Sequence, residues 1–338
     1  MINFQYARAS DVTEAVRMIA TDPTAKFIAG GTNLIDLMKE DVERPSRLID
    51  ISRLPLKTVE ETAGGGLRIG ALVPNSDLAY HPLIEQRYPI LSSAILAGAS
   101  QQLRNMASTG GNLLQRTRCA YFYDTATPCN KRQPDSGCSA IGGINRGHAI
   151  LGASESCIAT HPSDMCVALT ALDARVHMMG PEGARVVAFS DFHRLPGNTP
   201  QIDTNLHANE IVTAVELPAK GFPANYSYLK IRDRLSYAFA LVSIAAALDL
   251  EGGTIKEARL ALGGVAHKPW RDSAAEATLR GQAASEANFT RAAELLLRDA
   301  KGYEHNAFKI DLARRGIVRT LTQAAQATPQ SQSDKRIR

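Results

Sequence analysis

The sequence predicts an α+β protein, and three observations carry that prediction. Short strand and helix patterns alternate through the first 55 residues; a mixed region running to residue 218 is split by a long unpatterned loop; and a second mixed unit follows the break at "PAKGFPANY". At 338 residues the chain is long enough for two or three domains. With 44% hydrophobic and 21% charged residues and a net charge of +4, the composition is that of an ordinary globular protein, and a nucleic-acid partner is not implied. No run of 18 or more uninterrupted apolar residues occurs, so no segment reads as a membrane span. The N-terminus also lacks the basic start and apolar core of a signal peptide.

In chain order, "INFQYARA" reads as a strand and "DVTEAVRMIATD" as a helix capped by its Asp. "AKFIAGGTNLIDLMKE" reads as a strand passing through a Gly-Gly turn into a helix, and "SRLIDIS" closes this first unit near residue 55. "VEETAGGGLRIGALVPNSDL" has the pattern of a glycine-turned hairpin followed by a helix start at Asn75 or Ser76. Helical "PILSSAILAGASQQLRNMAS" leads into "TGGN". From Arg116 to about Gly152 periodicity vanishes, and a loop of that length inside a domain is either functional or disordered. "DMCVALTALDARVHMM" then reads as helix and strand, and "IVTAVELP" as a strand. In the last unit, residues 222–325, "SYLKIRD" reads as a strand, "YAFALVSIAAALDL" as a helix, "EARLALGGVA" as a strand and the remainder as amphipathic helices. The polar tail, 326–338, is expected to be disordered.

Two glycine motifs and a cysteine group carry chemistry. In "KFIAGGTNL" small residues between a strand and a helix let backbone N–H groups approach a phosphate at a helix start, although such a turn is often only a turn. "STGGN", residues 108–112, is a second loop of that kind, able to wrap another part of a dinucleotide; no G-x-G-x-x-G stands in the strand-turn-helix context of a Rossmann fold. Cys119, Cys129, Cys138 and Cys157 are separated by nine, eight and eighteen residues, which does not fit the close pairs of a zinc finger. An iron–sulfur cluster, disulfides or free thiols, and zinc all remain open on spacing alone. Cys166, in an apolar helix, reads as a small core residue with no ligand role. Asp164 reads as a helix N-cap, His161 as a satisfied loop histidine, and Lys230 as a solvated strand lysine close enough to an apolar run to reach an anionic or reduced cofactor.

Taken together, "KFIAGGTNL", "STGGNL", "THPSD" and "KIRDRLSYAFALVS", in that order over residues 1–325, resemble the FAD-binding medium subunit of the molybdenum hydroxylases, the xanthine dehydrogenase and aldehyde oxidoreductase family. The insertion beginning "LLQRTRCAYFYDTATPCNKR", at about 116–158, looks most like the periplasmic aldehyde oxidase type, whose flavin subunit carries an additional [4Fe-4S] cluster. The resemblance implies a two-lobed FAD-binding domain of the PCMH/CO dehydrogenase flavoprotein type, lobes 1–55 and 56–218, followed by the C-terminal domain 222–325. It implies that Lys26, Phe27, Ile28, Ala29, Gly30, Gly31, Thr32, Asn33 and Leu34 hold the FAD pyrophosphate. Ser108, Thr109, Gly110, Gly111 and Asn112 would bind the dinucleotide from the other side, Asp164 the adenosine ribose, and Ile211 and Lys230 the isoalloxazine. The cluster ligands by this resemblance are Cys119, Cys129, Cys138 and Cys157.

The implied activity is electron transfer in a heterotrimeric aldehyde oxidoreductase: from a molybdenum cofactor in a large subunit, through [2Fe-2S] clusters in a small subunit, to this FAD and an external acceptor. No substrate-oxidising residue is expected in this chain. A periplasmic location is reached by co-export with a signal-bearing partner, or else the protein is cytoplasmic. The alternatives are a xanthine dehydrogenase or 4-hydroxybenzoyl-CoA reductase type of flavin subunit, a non-catalytic iron–sulfur electron carrier, and a stand-alone flavin oxidase with a disulfide-stapled loop.

Overall fold

The computed structural model describes residues 1–332, which form three sheets in chain order. Strands β1 (Gln5–Arg8), β2 (Lys26–Ile28) and β3 (Arg47–Asp50) make a small parallel sheet in the order β1-β3-β2. The helix Val12–Ala20 starts where the sequence predicts, because the Asp11 carboxylate accepts the Glu14 N–H at 2.8 Å while the Glu14 carboxylate accepts the Ser10 N–H at 2.8 Å. Its buried face, Ala15, Val16 and Ile19, shares a core with Ile49, Leu72 and Ile211.

The second sheet is antiparallel, with β4 (Val59–Glu61), β5 (Leu67–Gly70), β6 (Arg175–Gly180), β7 (Gly183–Ala188) and β8 (Ile211–Leu217) in the order β4-β5-β8-β6-β7. Between β5 and β6 the chain leaves the sheet for a run of short helices and the long loop. The stretch expected as one helix is two, Pro89–Ala97 and Gln101–Met106, broken at Gly98 and at Ala99, whose φ is +52°. Ser100 caps the second by accepting the Leu103 N–H, so the break is written into the sequence as an N-cap inside the apolar pattern.

The third sheet is also antiparallel: β9 (Tyr226–Ile231), β10 (Val242–Glu251), β11 (Thr254–Gly263) and β12 (Trp270–Arg271), in the order β12-β11-β10-β9. Here the helical expectation for "YAFALVSIAAALDL" is wrong, since residues 232–241 are irregular and the rest is β10. The reason is burial on both faces. Ala245 and Ala247 point into the core of the second sheet, while Val242, Ile244, Ala246 and Leu248 point into the C-terminal core under the helix Phe308–Ala325. A strand apolar on both sides shows no period-two alternation, and its alanines favour helix by propensity. Gly252 and Gly253, with φ of +56° and +81°, supply the two-residue turn into β11.

The tail expectation is corrected for residues 326–332. Gln330 N–H donates to Ser227 Oγ at 3.2 Å and Gln332 Nε2 to the Tyr228 carbonyl at 3.1 Å, so this segment lies along edge strand β9. Residues 333–338 lie outside the described residues. Among those described, no helix is long and apolar enough to cross a membrane.

Candidate functional site

A cleft of about 480 Å³ lies where the glycine loops, the helix Asp164–Ala171 and β9 converge. Of the residues singled out from sequence, Thr32, Asn33, Gly111, Asn112, Asp164 and Lys230 line it. The first loop reaches the cleft because Gly31 takes φ +72°, and because Gly30 packs so closely on the 106–107 backbone that a Cβ would sit 1.8 Å from the Met106 carbonyl oxygen. The second loop is pinned from behind: Gly110 N–H donates to the Ala71 carbonyl at 2.7 Å, Thr109 N–H to that of Val73 at 2.9 Å, and Ser108 Oγ accepts the Gly111 N–H at 3.2 Å.

Lys26, Phe27, Ile28, Ala29, Leu34, Ser108 and Thr109 support these loops without lining the cleft. Lys26 faces solvent and pairs with Glu43 at 3.8 Å. Ile211 is buried in the N-terminal core beside Leu72, also off the cleft lining.

Asp164 is the first residue of its helix rather than the N-cap; Ser163 is the cap, its Oγ accepting the Cys166 N–H at 3.1 Å. The Asp164 carboxylate instead accepts from Tyr228 Oη and Lys230 Nζ, each at 2.7 Å. Lys230 is therefore buried and paired, not solvated.

The sequence reading missed Arg104, Arg118, Arg234, Asn75, Tyr237 and Phe239, which complete the cleft wall. Tyr237 and Phe239 sit in the segment read as helix; Arg118 is the neighbour of Cys119 and carried no signal of its own. Four cations, Arg104, Arg118, Lys230 and Arg234, face two carboxylates, Asp36 and Asp164, a balance suited to an anionic ligand. Asn33 Nδ2 and Asn75 Nδ2 are buried there without a hydrogen-bond partner among the described residues. Two orphaned amide donors on a cationic wall fit the phosphate and carbonyl oxygens of a dinucleotide.

The irregular loop builds a second feature. Cys119, Cys129, Cys138 and Cys157 all line one cavity, and all are free thiols. The backbones of Cys129 and Cys138 pair antiparallel, which sets the two thiols on neighbouring strands of the loop. The side chain of Asn130 knits the loop, accepting the Gly137 N–H at 2.8 Å and donating to the Ser156 carbonyl at 3.0 Å. Burial pushes the Cys119 thiol up to about 12 and the Cys157 thiol up to about 11, the latter against the pull of Lys131. His148 Nε2 lies 3.1 Å from Cys119 Sγ.

Lys131 is buried on the cavity wall, donates to the Pro200 carbonyl at 2.7 Å and pairs with Asp203. Burial works against the charge of Asp203, yet Lys131 and Arg116 outweigh it and hold that carboxyl below the usual range. The thiols do not gather as ligands of a single ion. Tetrahedral zinc would draw its sulfurs to about 3.8 Å of one another. Among the described residues, the one group of three potential ligands with all its atoms within 4.8 Å is His161, Cys166 and His193.

Cavity and cleft adjoin. A chamber of about 350 Å³ is lined by Cys119 and His148 on one side and by Asp164, Arg118 and Phe239 of the cleft on the other.

The chain belongs to the flavin-binding subunits of the molybdopterin dehydrogenases, and on this fold two glycine loops border a cationic cleft. Residues 2–220 match the FAD binding domain in molybdopterin dehydrogenase, and residues 226–324 the CO dehydrogenase flavoprotein C-terminal domain. The chain is 52% identical over 322 residues to the aldehyde oxidoreductase FAD-binding subunit PaoB of Escherichia coli (strain K12), covering 95% of this chain and 98% of that one. It is 29% identical to the glyceraldehyde dehydrogenase medium chain of Sulfolobus acidocaldarius, over 82% of each. Among solved structures it is similar to carbon monoxide dehydrogenase from Hydrogenophaga pseudoflava, with a TM-score of 0.76, 26% identity and coverage of 97% and 99%.

Proposed function

We propose that this chain is the FAD- and [4Fe-4S]-containing electron-transfer subunit of a molybdenum-dependent aldehyde oxidoreductase, assembled with a large molybdenum-cofactor subunit and a small [2Fe-2S] subunit. In this reading a two-lobed flavin unit, 1–55 and 56–218, precedes the C-terminal unit 222–325, and the complex works in the periplasm after export as a folded assembly. The observation that carries it is the convergence of Cys119, Cys129, Cys138 and Cys157 on one cavity that adjoins the cationic cleft. The aldehyde class rests on the 52% identity to the Escherichia coli subunit.

When bound, the flavin would supply two-electron and one-electron redox chemistry and the cluster one-electron chemistry. The chain's own residues bind and orient. The glycine loops open the backbone to the diphosphate, Asn33 and Asn75 offer their unpaired amides, and Arg104, Arg118 and Arg234 offset its charge. Asp164, held by Lys230 and Tyr228, presents a fixed acceptor to a ribose hydroxyl. The four thiols would ligate the cluster as thiolates, with Lys131 as a buried positive charge beside them.

The test is cofactor analysis of the complex purified after co-expression of the three subunits. One FAD per chain, iron beyond that of the small subunit by one [4Fe-4S], and aldehyde-dependent dye reduction are expected. A protein with flavin but no such iron would overturn the cluster, and turnover by the chain alone would overturn the electron-transfer role. Periplasmic fractionation of the tagged complex checks the location.

A further inference from the structure

One buried cluster of side chains belongs to neither the thiol cavity nor the cationic lining of the cleft. His161, Cys166 and His193 bring their ligand-type atoms within 4.8 Å of one another. Cys166 lies in the first turn of the helix Asp164–Ala171 and is fully buried; His161 precedes that helix; His193 follows the short 3₁₀ turn Phe189–Asp191. The two imidazole rings stand 4.3 Å apart between centroids and tilted by 51°.

That geometry leaves nitrogen atoms unsatisfied. His161 Nε2 and His193 Nδ1 are both buried with no hydrogen-bond partner among the described residues. For His193 the tautomer follows from its surroundings. Its Nε2 lies 2.8 Å from the Leu113 carbonyl oxygen, which can only accept, so Nε2 carries the proton and Nδ1 presents a bare lone pair. A ring N–H tied to a backbone carbonyl is how metal-binding histidines are oriented.

We propose that His161, Cys166 and His193 form a binding site for a borderline-to-soft d¹⁰ cation, Zn²⁺ or Cu⁺, held by two imidazole nitrogens and one thiolate. The donor set contains no oxygen, which disfavours Mg²⁺ and Ca²⁺. Binding displaces the Cys166 proton to solvent. His161 also lines the 350 Å³ chamber, so the group stands directly beside that space. The ion would tie the segment that presents Asp164 to the loop after Asp191. The proposal is independent of the cluster reading, because none of the other four cysteines belongs to this group.

The experiment is elemental analysis of the complex, isolated without chelator and then dialysed against micromolar zinc, for the wild type, Cys166→Ala and His193→Gln. About one zinc or copper per chain is expected in the wild type. A fall of about tenfold or more is expected in each variant, with flavin and iron unchanged as evidence that the fold is intact. The element found in the wild type before the zinc dialysis separates the two cations. If the variants do not fold, a zinc-selective chelator applied to the wild type should release about one equivalent while iron stays constant. Wild type with neither metal after dialysis overturns the proposal, as does zinc that persists in Cys166→Ala or leaves only together with iron.

Discussion

Asp164 Oδ2 lies 2.7 Å from Lys230 Nζ, with both side chains more than nine-tenths buried beneath the cleft. The other carboxylate oxygen takes the Tyr228 hydroxyl at 2.7 Å. A pair this buried contributes little net stability as a pair, but breaking it strands a charge.

Lys230→Met should therefore lower stability by about 3–5 kcal/mol, because a desolvated carboxylate is left without its cation. Adding Asp164→Asn should recover part of that loss. Urea unfolding of both single variants and the double variant measures the coupling; additive losses would mean that the pair acts as two independent groups.

Gly31→Val should yield protein depleted of FAD. The position has φ +72°, and its Cβ would come within 2.8 Å of Ile35 Cδ1. Strain of about 1–3 kcal/mol for a non-glycine residue in this region would displace the loop from the cleft. Gly64→Ala is the control, since its Cβ would meet only Thr62 Oγ1, at 4.0 Å, and it does not line the cleft. Flavin absorbance per chain is the readout, and full occupancy in Gly31→Val would contradict the assignment.

Serine at Cys119, Cys129, Cys138 or Cys157 should lower iron by the equivalent of one cluster, because serine is a poor ligand for it. Cys166→Ser should leave iron unchanged. The measurement is iron per flavin in each variant, and an iron loss confined to Cys166→Ser would mean that the ligand set is wrong.

Lys309 sets a pH dependence. Its ammonium is buried among the carbonyls of His148 at 2.7 Å and Gly264 at 2.6 Å with no carboxylate partner among the described residues, and burial, assisted by Arg146, pushes it down to about 7 from 10.5. Between those values the unfolded chain keeps a proton that the folded chain has released, so stability rises with pH across that window; below about 7 both states hold the proton and the full cost is present. Unfolding free energies from urea titrations of wild type and Lys309→Met, followed from pH 7 to pH 9.5, should differ in slope by up to about 1.4 kcal/mol per pH unit. Parallel pH profiles would argue that Lys309 is not the titrating group.

What the sequence disclosed and what it withheld divide along physical lines. The N-terminal unit was legible because Asp11, Gly31 and the one-sided helix Val12–Ala20 are local signals, complete within a few residues. The glycine loops and the four-cysteine group were legible as residue types, and the structure brings Asn33, Asn112 and Asp164 to one cleft. Strand β10 was not, because its apolar character comes from two cores distant in sequence. Arg104, Arg118 and Arg234 were not either: an arginine on a cleft wall looks like any surface arginine until the walls are folded together. Lys230 reads as solvated from the sequence because the carboxylate that buries with it, Asp164, stands 66 residues away.

Strand β10 has one more effect. Successive side chains along it belong to different interiors, so it acts as a party wall with no slack between two rooms: a shift that relieves crowding at Ala245 pushes on Ile244 and Ala246. The flavoprotein half and the C-terminal half therefore cannot loosen one at a time. Heat should take them together in one cooperative event, and a protease that reaches either half should find the other already open.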